Sequence, residues 1–324
     1  MRIGIVTPAP PRSRYGNRVT ALRWARILKR LGHRVSIVQD YDGEPYDLLV
    51  ALHARRSYRA ASRFHREHPE RPLIVALTGT DLYRDLPRSR RAQRSLELAT
   101  RIVTLQPKAA EELRPELRPR VRVIYQSAPR LPDAAVHRHA PDQTFDVCVI
   151  GHLRPVKDPF RAALAARQLP ASSRVRILHL GAAMTQAMAN RARHEMKVNP
   201  HYRWLGEQPR WRVRQILGQS ALCVLSSKLE GGANVVSEAI VAGVPLLASR
   251  IAGSEGLLGA SYPGYFPVGD TEVLARLLRR AETDRGFLVS LKSHCTRLLP
   301  LFHPPREKAA WRRLLKELKP SWIA

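Results

Sequence analysis

Short apolar runs rich in β-branched residues alternate with stretches of helical periodicity, and this alternation restricts the fold more than any other feature of the chain. "RIGIVT" (2–7), "RVSIV" (34–38), "DLLVAL" (47–52), "LIVAL" (73–77), "RIVTL" (101–105) and "VRVIY" (121–125) all lack polar alternation. Strands that are apolar throughout are buried on both faces, the condition of a parallel sheet covered by helices. Between the first two runs the spacing predicts a helix capped by Asn17 and ended by Gly32. Its apolar face runs along Val19, Leu22, Leu28 and Leu31. The repeated strand–helix unit predicts a doubly wound α/β domain.

The pattern breaks at 129–145, "PRLPDAAVHRHAPDQTF", where prolines replace apolar residues, and this stretch reads as a linker. It then restarts with "FDVCVIG" (145–151), "VRILHLG" (175–181), "ALCVLSS" (221–227) and "PLLAS" (245–249). The expected organisation is one Rossmann-like domain over 1–128, the linker over 129–145, and a second Rossmann-like domain over 146–300. A last helix within 301–324 is expected to cross back to the first domain. Two such halves imply a ligand cleft between the carboxyl ends of their sheets.

Charge narrows the partners. The 55 Lys and Arg residues outnumber 27 Asp and Glu, leaving +28. Such an excess favours nucleic acid, acidic lipid or phosphorylated small molecules; the plain alternative is a solvated arginine-rich surface. The basic residues are spread over many segments and no nucleic-acid motif is present, which argues against nucleic acid. Cys148, Cys223 and Cys295 have no paired spacing, so neither a zinc site nor a disulfide framework is expected. No secretory signal is read at the N-terminus, and no run approaches the roughly 20 apolar residues a bilayer span needs. The expectation is a cytoplasmic protein without stable membrane insertion.

Residues 225–249, "LSSKLEGGANVVSEAIVAGVPLLAS", carry the chemistry. A strand ends near Ser226, a glycine loop follows, and a helix opens around Asn234 and stops at Gly243 before Pro245. Gly231 and Gly232 permit close backbone approach, and a helix start offers N–H groups to a diphosphate. Glu230 and Glu238 stand eight positions apart, one in the loop and one on the helix. "EGGANVVSE" followed by "AIVAGVPLLAS" resembles the paired-glutamate signature of family 4 glycosyltransferases, which have the GT-B fold. That resemblance implies that Glu230 contacts the donor sugar and Glu238 the ribose, with Gly231, Gly232, Ala233 and Asn234 at the diphosphate. "GHLRPVKDP" (151–159) stands where the family clamps the pyrophosphate. Lys157 matches the family lysine, and His152 occupies the usual arginine position. Either Arg154 takes over the phosphate role or the clamp is altered. Gly16 and Asn17 match the family's first-domain glycine loop beside the donor phosphates.

The first half departs from the family. Thr78, in "VALTGTDLY", replaces a common histidine, and Gln126 and Ser127 replace a usual Asn-Gly pair. His53 ends a strand and is either a cleft residue with a catalytic role or a packing histidine. Arg12, Arg14, Arg18, Arg55, Arg56 and Arg84 follow strand ends or lie on the first helix, an arrangement suited to a small anionic acceptor. Thr78, Thr80 and Asp81 complete the expected acceptor set.

Taken together, "VTPAPPRSRYGNRVTALRWARIL", "LLVALHARRS", "ALTGTDLYRDL" and "GHLRPVKDPF" resemble the selenosugar synthases of selenoneine biosynthesis. The resemblance implies a UDP-sugar donor (UDP-N-acetylglucosamine or UDP-glucose), selenophosphate as acceptor, and formation of a carbon–selenium bond. Other enzymes of that pathway are possible partners. No metal site of the GT-A type is read in the chain, so neither metal nor cofactor is expected. A competing reading is a family 4 enzyme that glycosylates a lipid-linked or polysaccharide hydroxyl at a membrane surface, with a basic helix at Arg88–Leu98.

Overall fold

The computed structural model describes residues 1–13, 15–131 and 144–318; Arg14 and most of the 129–145 linker lie outside them. Met1–Ser127, Glu230–Gly232 and the segment from Pro304 form one compact unit, and Ala128–Leu229 with Ala233–His303 form the other.

The first unit is built on a parallel sheet of β1 (Arg2–Val6), β2 (Arg34–Val38), β3 (Leu48–Leu52), β4 (Leu73–Ala76), β5 (Arg101–Thr104) and β6 (Val121–Val123). Its order is β2-β1-β3-β4-β5-β6. Helices α1 (Gly16–Arg30), α2 (Tyr58–Glu67), α3 (Arg90–Leu98) and α11 (Pro304–Glu317) cover it. Strand β3 shows why the runs are apolar throughout. Leu48, Val50 and Leu52 point into a core with Trp24, Leu28 and Trp311, while Leu49 and Ala51 point into another with Phe64, Ala92 and Leu96. Period-2 side chains with no wet face leave no place for polar alternation.

Helix α1 departs from the expected pattern. It begins at Gly16 behind Tyr15, with no side-chain cap, so Asn17 lies inside the first turn. Leu22 is 37% exposed, and the buried face is Ala21, Trp24, Ala25 and Leu28. The two tryptophans decide the rotation: Trp24 packs edge-on against Trp311, ring centroids 4.9 Å apart. An indole buries more surface than a leucine, so it takes the inward position.

The second unit carries β7 (Phe145–Ile150), β8 (Val175–Leu180), β9 (Tyr202–Trp204), β10 (Leu222–Leu225), β11 (Leu246–Ser249) and β12 (Tyr265–Phe266). The order is β12-β11-β10-β7-β8-β9, again parallel. The edge strands β9 and β12 were not anticipated, because runs of two or three residues carry no periodicity. Its helices are α4 (Arg161–Ala166), α5 (Gln186–Val198), α6 (Arg210–Gln219), α7 (Asn234–Val241), α8 (Ala252–Leu258), α9 (Thr271–Thr283) and α10 (Arg285–Leu298). The three cysteines are buried and unpaired, and burial raises each thiol above its ordinary pKa. No helix among the described residues is long and apolar enough to cross a membrane.

Candidate functional site

In an open parallel sheet, ligands bind at the carboxyl ends of the two strands where the order reverses. For the second sheet those strands are β7 and β10, and the loops leaving them are the two motif segments. The loop after β7 is a 3-10 turn, Pro155–Lys157, closed by Asp158 in the left-handed region at φ 43°. The loop after β10 is tied to it: Lys228 N donates to Val156 O at 2.9 Å, and Ser226 Oγ donates to the carbonyls of Lys157 and Asp158. Lys157 is thus fixed by its backbone, leaving its ammonium on a positioned stem. Arg154, three residues before it, has a buried Nε with no hydrogen-bond partner among the described residues. An unspent guanidinium donor costs free energy unless a ligand takes it.

His152 spends Nδ1 as the acceptor for the Ala182 N–H at 3.1 Å. Behind it lies a support that the motif alone does not reveal. His179, buried on β8, is hydrogen-bonded through Nε2 to Gly151 O (3.1 Å) and through Nδ1 to Tyr202 Oη (3.0 Å). Burial lowers its pKa to about 4, so it is neutral, donating from Nε2 and accepting at Nδ1. Gly181 lets these segments meet. A Cβ there would stand 2.0 Å from Gly151 O, and its φ of +155° suits glycine alone.

Helix α7 begins at Asn234, behind Ala233, with no acidic residue in its first turn. Glu238, on its fifth residue, stands 3.7 Å from Arg210 at the start of α6. Arg210 is half-exposed and was not singled out from the sequence, since nothing in "EQPRWR" links it to a helix 28 residues later.

The first sheet reverses between β1 and β3. The loop after β1 leads to Gly16 and Asn17, whose backbone N–H groups donate to nothing among the described residues. A Cβ on Gly16 would meet nothing, so packing does not require glycine there. Arg12 is exposed and left-handed (φ 64°), and the Nε of half-buried Arg18 is buried without a partner. After β3 come His53 and the exposed Arg55 and Arg56.

His53 is 2% exposed, with φ +75° and both ring nitrogens engaged. Nδ1 accepts the Arg56 N–H at 3.3 Å and Nε2 faces Thr80 Oγ1 at 3.2 Å. Burial lowers its pKa, so the ring is neutral. Asp81 is fully buried, and its carboxylate accepts the N–H groups of Ala54, Thr78 and Gly79 at 2.8–3.0 Å. Those bonds hold the Thr78 loop in place. Gln126 and Ser127 are likewise internal: Gln126 donates to Thr20 Oγ1 and Ser127 to Glu307.

Asp85, absent from the expected set, is 4% exposed and lies 3.8 Å from His53 Nε2. Its Oδ1 receives Arg55 and Arg84, each at 3.3 Å. The half-buried Glu230 belongs to this first unit together with Gly231 and Gly232. A Cβ on Gly231 would lie 2.6 Å from the Thr78–Gly79 backbone, and one on Gly232 would lie 2.4 Å from Leu105 Cβ. The glycine pair is therefore a steric requirement of close approach. Among the described residues no three His, Cys, Asp or Glu side chains gather as a metal site.

Residues 135–296 match the family model "Glycosyl transferases group 1". Solved structures with the same fold include Anabaena HepE in complex with UDP (16% identity, 98% of this chain and 99% of that one, TM-score 0.78). Sucrose-phosphate synthase from Thermosynechococcus elongatus (15%, 98% of each, 0.77) and a Rickettsia africae glycosyltransferase (12%, 98% of each, 0.72) share it too. These likenesses make the fold GT-B, two Rossmann-like parallel-sheet domains. Among curated proteins, no sequence matches.

Proposed function

The chain belongs to the glycosyl transferases group 1 family, and from that premise we propose that it moves a sugar from a UDP-sugar, UDP-N-acetylglucosamine or UDP-glucose, to selenophosphate. The observation that carries the donor half is Arg154: a guanidinium nitrogen is buried and unspent on the same turn as the backbone-anchored Lys157. Arginine and lysine together suit a diphosphate leaving group, the guanidinium as a fork and the ammonium as a point charge. Glu238, on the neighbouring α7, accepts from the ribose hydroxyls, and Glu230 contacts the sugar. HepE was solved with UDP and glucose, which supports a uridine donor.

In the reaction the selenium lone pair attacks the anomeric carbon. The bond from that carbon to the diphosphate oxygen breaks, and its electron pair leaves on UDP. The phosphoryl group on selenium then passes to water, giving the selenosugar and inorganic phosphate. Selenophosphate is a soft, already charged nucleophile, so the acceptor side needs cationic anchors more than a general base. A buried, neutral His53 is compatible with that requirement. The cationic side chains beside the diphosphate do the work a metal would do, so activity is expected to survive chelation.

The test is purified protein with UDP-N-acetylglucosamine, with and without selenophosphate, in EDTA, followed by mass spectrometry. A selenium-containing sugar formed together with UDP supports the reading. UDP release without such a product removes the acceptor assignment, and total loss in EDTA removes the metal-free mechanism.

A further inference from the structure

Five arginines line one cavity of the first unit. Arg55, Arg84, Arg88, Arg90 and Arg91 surround about 540 Å³ with Asp85 as the single carboxylate, a volume within the range of small-molecule sites. Some other arginines of the same unit have carboxylate partners: Arg94 and Arg114 share Glu97, and Arg101 and Arg122 share Glu317. In the cavity only Arg55 and Arg84 have a partner, one oxygen of Asp85 between them. No carboxylate among the described residues pairs with Arg88, Arg90 or Arg91.

Two further features make this placement unfavourable in the absence of an anion. Arg90 and Arg91 are the first residues of α3, where the helix dipole is positive and acidic side chains are favoured. Ser89 caps the helix through the Ala92 N–H, while the N–H groups of Arg90 and Arg91 donate to nothing among the described residues. In addition, Asp85 is more than nine-tenths buried, and its Oδ2, 3.8 Å from His53 Nε2, receives no hydrogen bond. Clustered guanidiniums, a helix start without acids and an orphan acceptor are each a cost. One ligand relieves all three: an oxyanion that still carries a proton.

We propose that this cavity is the phosphoryl subsite of the acceptor. A small, free phosphate-type oxyanion sits on the guanidinium rim and the first-turn amides of α3, and its remaining O–H donates to Asp85. The assignment rests on the reading of the acceptor as selenophosphate, and it adds the residues that hold the phosphoryl end. A lipid headgroup offers the same chemistry. However, the buried face of α3 (Ala92, Ser95 and Leu96) is spent within the unit, with Ala92 and Leu96 in its core, so the helix has no apolar face left for a bilayer. The free anion is therefore the better occupant.

The rim arginines are exposed, so Arg88→Ala/Arg91→Ala is expected to fold. Calorimetry with inorganic phosphate should show binding to the wild type and a drop of about tenfold in the double variant. Sulfate, which has no proton to give Asp85, should bind several-fold more weakly than phosphate. In turnover the double variant should raise the selenophosphate KM about tenfold, with the UDP-sugar KM within twofold. An unchanged selenophosphate KM, or sulfate binding as tightly as phosphate, overturns the proposal. So does Arg88/Arg91-dependent sedimentation on phosphatidylglycerol vesicles without phosphate competition, which would assign the cavity to a headgroup. Phosphate binding at these arginines in a protein that makes no selenosugar would sink the functional reading and leave the subsite standing. The reverse result sinks the subsite alone.

Discussion

Lys157 and Glu238 sit on different elements at the same switch point, and their substitutions are expected to separate kinetically. In the proposed reaction the Lys157 ammonium meets a charge that grows as the diphosphate leaves, so Lys157→Ala should lower kcat by roughly 100-fold or more. The same proposal sets Glu238 against hydroxyls that do not change during the reaction, so Glu238→Ala should act mainly on the donor KM. Steady-state kinetics on both variants checks this, and a kcat effect confined to Glu238 would reverse the assignment. His179 supports the same loop from below. Its pKa lies near 4 in the folded chain and near 6.5 when unfolded, so the unfolded state binds more protons between those values. Stability is therefore full above pH 6.5 and is lost as pH falls toward 4, by an amount on the order of 3 kcal/mol from this residue. Imidazole signals followed by NMR should show His179 neutral down to pH 5; protonation near pH 6.5 would contradict its place on Gly151.

Among the elements, α11 is tied to its neighbours by one fully buried carboxylate. Glu307 is 1% exposed and accepts from Trp24 Nε1 at 2.9 Å and from Ser127 N at 2.8 Å, which joins α11 to α1 and to the chain leaving β6. Burial raises its pKa even with Arg23 nearby and these donors in place. The sign follows: the folded state keeps a proton that the unfolded state has released. The stabilisation is present below the unfolded pKa and is lost as pH rises through the folded one. Denaturant titrations should show Glu307→Ala costing about 2–4 kcal/mol, because it orphans buried donors. Glu307→Gln should cost less, and its deficit should shrink as pH rises; a deficit that grows with pH would refute the sign. This tie also marks where reading the sequence stops. Strands such as β3, β4, β10 and β11 were legible because they are buried on both faces, whereas the edge strand β2 leaves Arg34 and Ser36 exposed. "EGGANVVSE" was legible because steric need and chemistry coincide in one contiguous run. The partners Trp24–Glu307, His179–Gly151 and Arg210–Glu238 lie 28 to 283 positions apart and follow from strand order. Nor does the sequence show that the Asp81 carboxylate accepts the backbone N–H groups of Ala54, Thr78 and Gly79, which only the folded loop presents.

At the scale of the whole molecule, an excess of 28 positive charges has to be tolerated somewhere. Most ion pairs join side chains that are a third or more exposed on at least one partner, such as Arg63–Glu67 and Arg280–Asp284. Pairs of that kind contribute about 0–1 kcal/mol each and weaken with salt. Repulsion among the surplus cations is long-ranged and is screened over a Debye length of roughly 10 Å at 0.1 M. The two effects oppose one another, and the surplus outweighs the pairs because every acid is already outnumbered two to one. Thermal unfolding is therefore expected to shift upward as NaCl rises from about 20 to 200 mM, a range that shortens the screening length about threefold. Phosphate at equal ionic strength should raise it further in the wild type and not in Arg88→Ala/Arg91→Ala, because a bound anion stabilises by mass action as well as by screening. A melting temperature that falls with NaCl would mean that the exposed pairs outweigh the surplus, and the arginine excess would then need no anionic partner to offset it.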